Sequence, residues 1–374
     1  MIQKMIKNIV APLWAYKDGD KYFKYLKKFE ESQFFDRKKI DEIQFNKLRQ
    51  MVSYAFKNCN FYKEKYEEYG FEPKQLKSPT DVTKIPFITK EEIQKYKKTF
   101  VSKKYNVSSL IPDMTGGSTG SPLHYYIDKD VMSIRKAITI RHDRWAGWDI
   151  GKKVAYLWAT HRDTDVIKNL KVFIRNFLLE RSFVLNTSSI DKNDLKTFTE
   201  IIKKNNIQYF IGYASSIYLF AKYIRGIQEK NVHPKAIISS AEVLHDEQRM
   251  FIEETFQCKV FNRYGCRELN MIASECDRHE GMHLNADCLY MEILDGNSKE
   301  GLGELVITDL VNYAFPFIRY KIRDMACWAD HNCSCGRGLP LIKSVNGRVA
   351  DFIITPKGRL VSGPSVTITV IAIT

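Results

Sequence analysis

The stretch from about Gln208 to Phe261 constrains the fold most, because its hydrophobic period switches at short intervals. Tyr209–Ile211 reads as a buried strand. Ile217, Phe220, Ile224 and Ile227 then recur at helical spacing, and Ala236–Ile238 reads as a second strand. Asp246–Phe256 is a second amphipathic helix, with Phe251, Ile252 and Thr255 on one side, and Lys259–Phe261 is a third strand. Strands separated by helices imply a parallel sheet with right-handed crossovers, hence an α/β fold. Ligands of such sheets collect beyond the carboxyl ends of the strands. Here those ends are Gly212-Tyr213-Ala214-Ser215, Ser239-Ser240-Ala241-Glu242 and Arg263-Tyr264-Gly265-Cys266-Arg267-Glu268. Small, polar and aromatic residues cluster where the topology puts a site.

A second segment is suited to phosphate. In Thr115-Gly116-Gly117-Ser118-Thr119-Gly120-Ser121-Pro122, three glycines let the backbone close on an anion, so that successive N–H groups form a nest. The hydroxyls of Thr115, Ser118 and Thr119 add donors. The loop lacks the Gly-Lys-Ser/Thr ending of the common NTPase loop. Alone, such a run reads equally well as a flexible surface turn. The strand ends tip the balance towards a site.

These segments have an order. Thr115–Pro122, Ser240-Ala241-Glu242, Tyr264–Glu268, Phe317-Ile318-Arg319-Tyr320-Lys321-Ile322-Arg323-Asp324 and Gly347-Arg348-Val349-Ala350-Asp351 follow one another as in adenylate-forming (AMP-binding) enzymes. The chain most resembles the phenylacetate–coenzyme A ligase branch, especially its relatives in capsular polysaccharide biosynthesis gene clusters. Asn60-Phe61-Tyr62 and Lys84-Ile85-Pro86-Phe87-Ile88-Thr89-Lys90 also look like that branch, and the likeness runs from about Gln44 to about Val366. It implies the large N-terminal domain of that fold, with mixed, mainly parallel sheets flanked by helices. Residues 1–105 would be its helical, basic front and 106–346 the nucleotide-binding core, with 347–374 the hinge and the start of a C-terminal domain.

The resemblance also implies a reaction. A carboxylate attacks the α-phosphorus of ATP, giving an acyl adenylate and pyrophosphate; coenzyme A, or a non-thiol acceptor, then takes the acyl group. Thr115, Gly116, Gly117, Ser118, Thr119 and Gly120 would hold the phosphates and orient the leaving group, with Thr115, Thr119 and Glu268 as the catalytic set. Tyr264 and Gly265 would lie against adenine, with Ser240, Ala241 and Glu242 lining that pocket. Glu268 would bind Mg²⁺, Asp324 the ribose hydroxyls, and Arg348 the ribose or phosphate side. An aryl or otherwise apolar acid would lie against Tyr213, Ala214 and Ser215, with Tyr125 or Trp145 as contributors. A carboxylate nucleophile needs no base, so His124, His142 and His161 read as structural. Plainer readings compete with several of these. Tyr264-Gly265 reads also as a strand end and turn, Glu268 as the start of a helix, Arg323-Asp324 as a local ion pair, and Glu242 as structural.

Two departures from the family pattern matter. Many relatives carry two acids after the Gly-Arg pair, whereas here Gly347-Arg348-Val349 leads to Ala350 and then Asp351. The family also has a small C-terminal domain whose lysine stabilises the adenylation transition state, and this sequence stops at Thr374 soon after the hinge. Ser365–Thr374 is an uncharged β-pattern, an aggregation hazard if left open, and reads as a truncated or frame-shifted end. A non-catalytic nucleotide- or acyl-binding remnant is therefore the alternative expectation.

The eight cysteines form no disulfide-like framework, which suits a reducing cytoplasm. Cys276, His283, Cys333 and Cys335 make a soft donor set for a closed, structural zinc site, with His279 and His331 as rival ligands. The resemblance agrees, since some relatives carry a metal at comparable residues. Cys59, Cys258 and Cys327 sit on apolar patterns and read as core. The net charge is +14, and residues 1–105 hold 24 Lys/Arg against 14 Asp/Glu. Yet lysines alternate with glutamates in Lys57–Lys65 and Glu91–Lys98, opposite a packing stripe of Leu48, Met51, Val52, Ala55, Phe56 and Cys59. The charged face therefore reads as solvated and no nucleic-acid partner is expected. The expected partners are a small-molecule carboxylic acid and a second copy in a homodimer. No apolar run approaches the ~20 residues of a membrane span. Met1–Tyr16 mixes basic and apolar residues and reads as a docked or frayed helix rather than one lying on a membrane.

Overall fold

The computed structural model describes residues 2–115, 122–158, 175–187, 190–294, 301–348, 352–354 and 360–362. They form a mixed α/β fold in two compact units. The first comprises Met1–Lys27, Lys136–Gly265 and Ser274–His279; the second comprises Lys28–Arg135, Cys266–Ala273 and Glu280–Thr374. In the second, β1 (Ile111–Met114) and β2 (His124–Ile127) make an antiparallel hairpin. In the first, β3 (Val154–Trp158), β4 (Ser182–Asn186), β5 (Tyr209–Tyr213), β6 (Ala236–Ser240) and β7 (Lys259–Cys266) run parallel in the order β4-β3-β5-β6-β7. β8 (Asn270–Glu275) follows. The second unit then adds β9 (Met282–Leu284), β10 (Leu289–Leu294), β11 (Gly303–Asp309), β12 (Tyr320–Trp328) and β13 (Leu341–Arg348), antiparallel in the order β10-β11-β12-β13-β9. A last hairpin pairs β14 (Phe352–Ile354) with β15 (Leu360–Ser362).

Register explains why the parallel strands are legible as apolar runs. Ala155, Phe210, Ile237 and Val260 are successive partners across β3, β5, β6 and β7, all fully buried. Phe198, Ile217, Phe220, Ile252 and Phe256, from the helices Lys192–Asn205, Ala214–Gly226 and Asp246–Phe256, pack on that row. The next row, Tyr156, Ile211, Ile238 and Phe261, points to the opposite face and packs with Ala146 and Val154. A strand buried on both faces has no polar side to show, and each large side chain so buried contributes about 1.5–3 kcal/mol. Ile227, expected on the helical stripe, lies just past the helix end and is 49% exposed.

The third expected strand is longer than its apolar run. β7 continues through Tyr264-Gly265-Cys266, and residues 267–269 turn directly into β8. Glu268 therefore sits on a turn between strands and starts no helix, which corrects that reading.

The N-terminal segment is helical and docked within the first unit. Ile2–Met5, the π-helical turn Ile6–Val10 and Ala11–Asp18 follow one another, with Gly19 ending the run at φ 66°. Ile6, Ala11 and Ala15 are buried, and Lys7 Nζ donates to Asp149 Oδ2 at 2.6 Å.

In the second unit, Asp36 caps the long helix Arg37–Asn58, accepting from Lys39 N–H at 2.8 Å. Its Leu48, Met51, Val52 and Ala55 are fully buried, as the stripe predicts. The solvated-face expectation fails at Lys65, which is 8% exposed and pairs with Glu92. The two front motifs prove to be struts for the segment leading into β12. Tyr62 Oη donates to the Pro316 carbonyl (2.8 Å) and accepts from Ile318 N–H (3.1 Å). Ile88 pairs with Tyr320: its N–H donates to Arg319 O (3.1 Å) and its carbonyl accepts from Lys321 N–H (3.0 Å). Thr89 and Glu92 then close a capping box on the helix Lys90–Phe100.

Candidate functional site

In the second unit the phosphate-loop candidate joins the two strands β1 and β2 in sequence. Gly116, Gly117, Ser118, Thr119, Gly120 and Ser121 lie outside the described residues, but the neck is defined. Thr115 N–H donates to Leu123 O at 3.0 Å, and Leu123 N–H donates to Thr115 Oγ1 at 2.9 Å. The hydroxyl thus closes the neck as an acceptor and keeps its own proton to donate. Below it, Asp113 accepts from Tyr125 Oη at 2.6 Å and stands 3.6 Å from the Arg267 guanidinium. Arg267 Nη1 also reaches Met114 O at 3.4 Å, and Arg267 O is within 2.7 Å of Tyr125 Oη. The hairpin is therefore tied to Arg267, within the second unit. Asp113 and Arg135, whose Nη2 donates to Glu268 O, join Tyr125 here without any sequence signal that marks them.

The acids of the two later motifs both bear electrostatically on Cys266. Burial pushes its thiol well up, and the Glu268 and Asp324 carboxylates beside it push it further. Tyr320 Oη donates to Glu268 Oε1 at 3.2 Å; burial and Glu268 together raise this phenol too, so the Cys266 thiol and the Tyr320 phenol stay protonated at neutral pH. Asp324 is the register partner of Arg348 on β13, and the ladder shifts between Asp324 and Ala326. Arg323, just before, has φ 66°. Such a bulge re-aims a side chain without ending the strand. Arg323 pairs with Glu91 at 2.7 Å.

The first unit contributes its strand ends. Tyr213, Ser240 and Arg263 are register partners on one face, with Arg263 paired to Asp143. Tyr213 stacks on Trp158, ring centres 4.3 Å apart at 21°. Trp158 ends β3, whose five-residue apolar run is too short for its period alone to identify it as a strand. Glu242 Oε2 accepts from Ser215 N–H at 2.8 Å, capping the helix that begins at Ala214, and Ala241 is left-handed at φ 67°. Tyr264 and Gly265 lie within β7, half-buried. Tyr125 is 1% exposed, and Trp145, 7% exposed, lies against His142, ring centres 4.1 Å apart and tilted by 37°. His124 is exposed on β2, whereas His161, Val349–Asp351 and Ser365–Thr374 lie outside the described residues.

The four expected metal donors come together. The ligand atoms of Cys276, His283, Cys333 and Cys335 all lie within 4.8 Å of one another. A tetrahedral zinc site sets its sulfurs about 3.8 Å apart, so small side-chain movements close the cage. Cys335 Sγ is 3.3 Å from His283 Nε2. Backbone N–H groups of Arg278 and Arg337 point at Cys276 Sγ and Cys335 Sγ, each at 3.5 Å. Burial pushes the Cys335 thiol up, but hydrogen bonds from Arg337 outweigh it and hold the thiol below its usual range. Glu280 fixes the loop, accepting from Ser334 N–H (2.7 Å) and Oγ (2.6 Å). The rivals stand elsewhere: His279 pairs with Glu275 and His331 with Asp330, each at 3.1 Å.

No family model matches the chain. It is 26% identical over 323 residues to Protein CapK of Staphylococcus aureus, covering 81% of this chain and 65% of that protein's length. A phenylacetate–coenzyme A ligase of Thermus thermophilus is 23% identical over 343 residues, covering 87% of this chain and 74% of the ligase. A crystal structure of 2-hydroxyisobutyryl-CoA ligase superposes with a TM-score of 0.74 at 20% identity, covering 90% of this chain and 73% of that one. The fold is that of this acyl-CoA ligase. In sequence the chain is similar to the proteins named CapK and phenylacetate–coenzyme A ligase.

Proposed function

We propose that the protein binds Mg²⁺–ATP and activates a carboxylic acid as an acyl adenylate, which then passes to coenzyme A. The observation that carries this reading is Glu268, oriented by Tyr320 on the turn after β7, in the same unit as the bulge that pairs Asp324 with Arg348. The names of the relatives support it, as does a solved neighbour described in complex with R3-HIB-AMP. In the reaction a carboxylate oxygen bonds to the α-phosphorus while the bond to the β-phosphate breaks, releasing pyrophosphate. Thr115, with the rest of its loop, holds the phosphates. Asp324 accepts from the ribose hydroxyls, and Arg348 contacts the ribose or phosphate side. Tyr264, Gly265, Ser240, Ala241 and Glu242 line the adenine pocket; Tyr213, Ala214 and Ser215 wall the acid. Glu268, 8% exposed and oriented by Tyr320, offers a hard oxygen donor that fits Mg²⁺. When bound, Mg²⁺ supplies charge neutralisation of the phosphates. ATP–pyrophosphate exchange across a panel of aryl and short aliphatic acids tests the reading. Exchange with at least one acid is expected. Nucleotide binding without exchange for any acid favours a non-catalytic role, and neither binding nor exchange defeats the proposal.

The same reading gives Cys276, His283, Cys333 and Cys335 a structural zinc ion. Three thiolates and an imidazole, three of the four residues buried, fit zinc better than a hard cation. Elemental analysis should find zinc, and a strong chelator should lower the melting temperature; no zinc and no shift would remove the ion. The eight free cysteines suit the cytoplasm.

A further inference from the structure

The N-terminal helical segment has two apolar sides. One is docked on the first unit through Ile6, Ala11 and Ala15. The other faces solvent: Ile2, Met5, Ile9, Leu13 and Tyr16 are 57%, 49%, 55%, 64% and 88% exposed. Spaced three and four residues apart, they form one stripe. The turn Ile6–Val10 packs against a second π-helical turn, Asn176–Glu180, whose Phe177 and Leu178 are 71% and 37% exposed and widen the patch. Single exposed apolar side chains are ordinary, whereas a run of them on adjacent turns marks a docking surface.

Charge identifies the occupant. Residues 2–27 carry six lysines against two aspartates. Lys4 and Lys17 are exposed at the two ends of the stripe, and Lys21, Lys24 and Lys27 are exposed just beyond it. Lys7 and Asp149 neutralise each other, as do Asp20 and Lys136, so the exposed charge is almost wholly positive. A second copy on this face would bring like charges together, whereas anionic headgroups would neutralise them. No described helix is long and apolar enough to cross a membrane, so the segment would lie in the headgroup plane. We infer that this face docks the protein on an anionic phospholipid surface.

Co-sedimentation with mixed phosphatidylglycerol–phosphatidylcholine vesicles, against phosphatidylcholine alone, tests this on the full chain. Binding to the anionic vesicles only is expected. It should weaken at least about tenfold in Ile9→Asp/Leu13→Asp and, separately, in Lys4→Glu/Lys17→Glu. These side chains are exposed, so melting temperatures should not move; if the double aspartate variant melts early, Leu13→Ser replaces it. No binding to anionic vesicles overturns the inference, as does binding that Ile9→Asp/Leu13→Asp leaves unchanged. A dimer in light scattering that this variant dissociates would assign the face to a second copy instead.

Discussion

The parallel sheet of the first unit and the antiparallel array of the second bury their residues by different means. Across β3, β5, β6 and β7 each register row is apolar until the strands end, and helices cover it by shape alone. At β11 and β12 the interior holds charge. Arg319 is 2% exposed, makes a two-pronged ion pair with Glu292 at 2.9 and 2.8 Å, and donates to the carbonyls of Thr83 and Ile85. An apolar row needs only volume; a buried guanidinium needs every partner in place. Such partners also fix polar side chains for chemistry. In the second unit Glu268 is oriented by the Tyr320 phenol, whereas in the first the candidate site residues stand at the strand ends.

The contrast predicts a hierarchy of effects. Arg319→Ala should cost most, about 3–5 kcal/mol in denaturant unfolding, because the partly buried Glu292 and the carbonyls of Thr83 and Ile85 lose their buried partner. The double change Arg319→Met/Glu292→Leu should recover most of that loss; a double variant as unstable as the single one would mean the pair is needed for more than mutual neutralisation. In the first unit, Gly212→Ala should cost about 1–3 kcal/mol through overpacking alone, since a Cβ there would stand 2.6 Å from Leu157 O and 2.9 Å from its Cβ. A neutral result would show a looser sheet than the rows imply. Glu242→Ala should cost roughly 0.5–1 kcal/mol by uncapping the helix at Ser215.

The smallest effect is a pH dependence in the first unit. Burial pushes Glu275 up, but bonds from His279 and Arg249 outweigh it and hold the carboxyl below its usual range. A carboxyl lowered in the folded state stabilises above its unfolded range, and that stability is lost as pH falls through the folded value. Glu275→Gln should therefore flatten the acid limb of the stability curve, and an unchanged limb would assign it to other carboxyls.

Legibility in the sequence follows the same divide. β5, β6 and the helix Asp246–Phe256 were read closely, because burial on both faces leaves an uninterrupted apolar run. The hairpin under Thr115 was not, since Ile111–Met114 and His124–Ile127 mix exposed, polar and buried residues. The donor set of Cys276, His283, Cys333 and Cys335 was legible from ligand chemistry, while the rejection of His279 and His331 required their carboxylate partners. Lys65 was misread for the same reason: Glu92, which allows it to be buried, lies on another helix. The struts Tyr62 and Ile88 act through backbone atoms of Pro316, Ile318, Arg319 and Lys321, contacts that no sequence spacing displays.

Isothermal titration calorimetry with Mg²⁺–ATP, on the wild-type chain and on Asp324→Ala, tests the central claim most directly. Binding by the wild type, weakened by about 1–3 kcal/mol in the variant, is the expected result. Equal affinity in the two would remove Asp324 from the site, and no binding by either would contradict the assignment of a nucleotide site to these motifs.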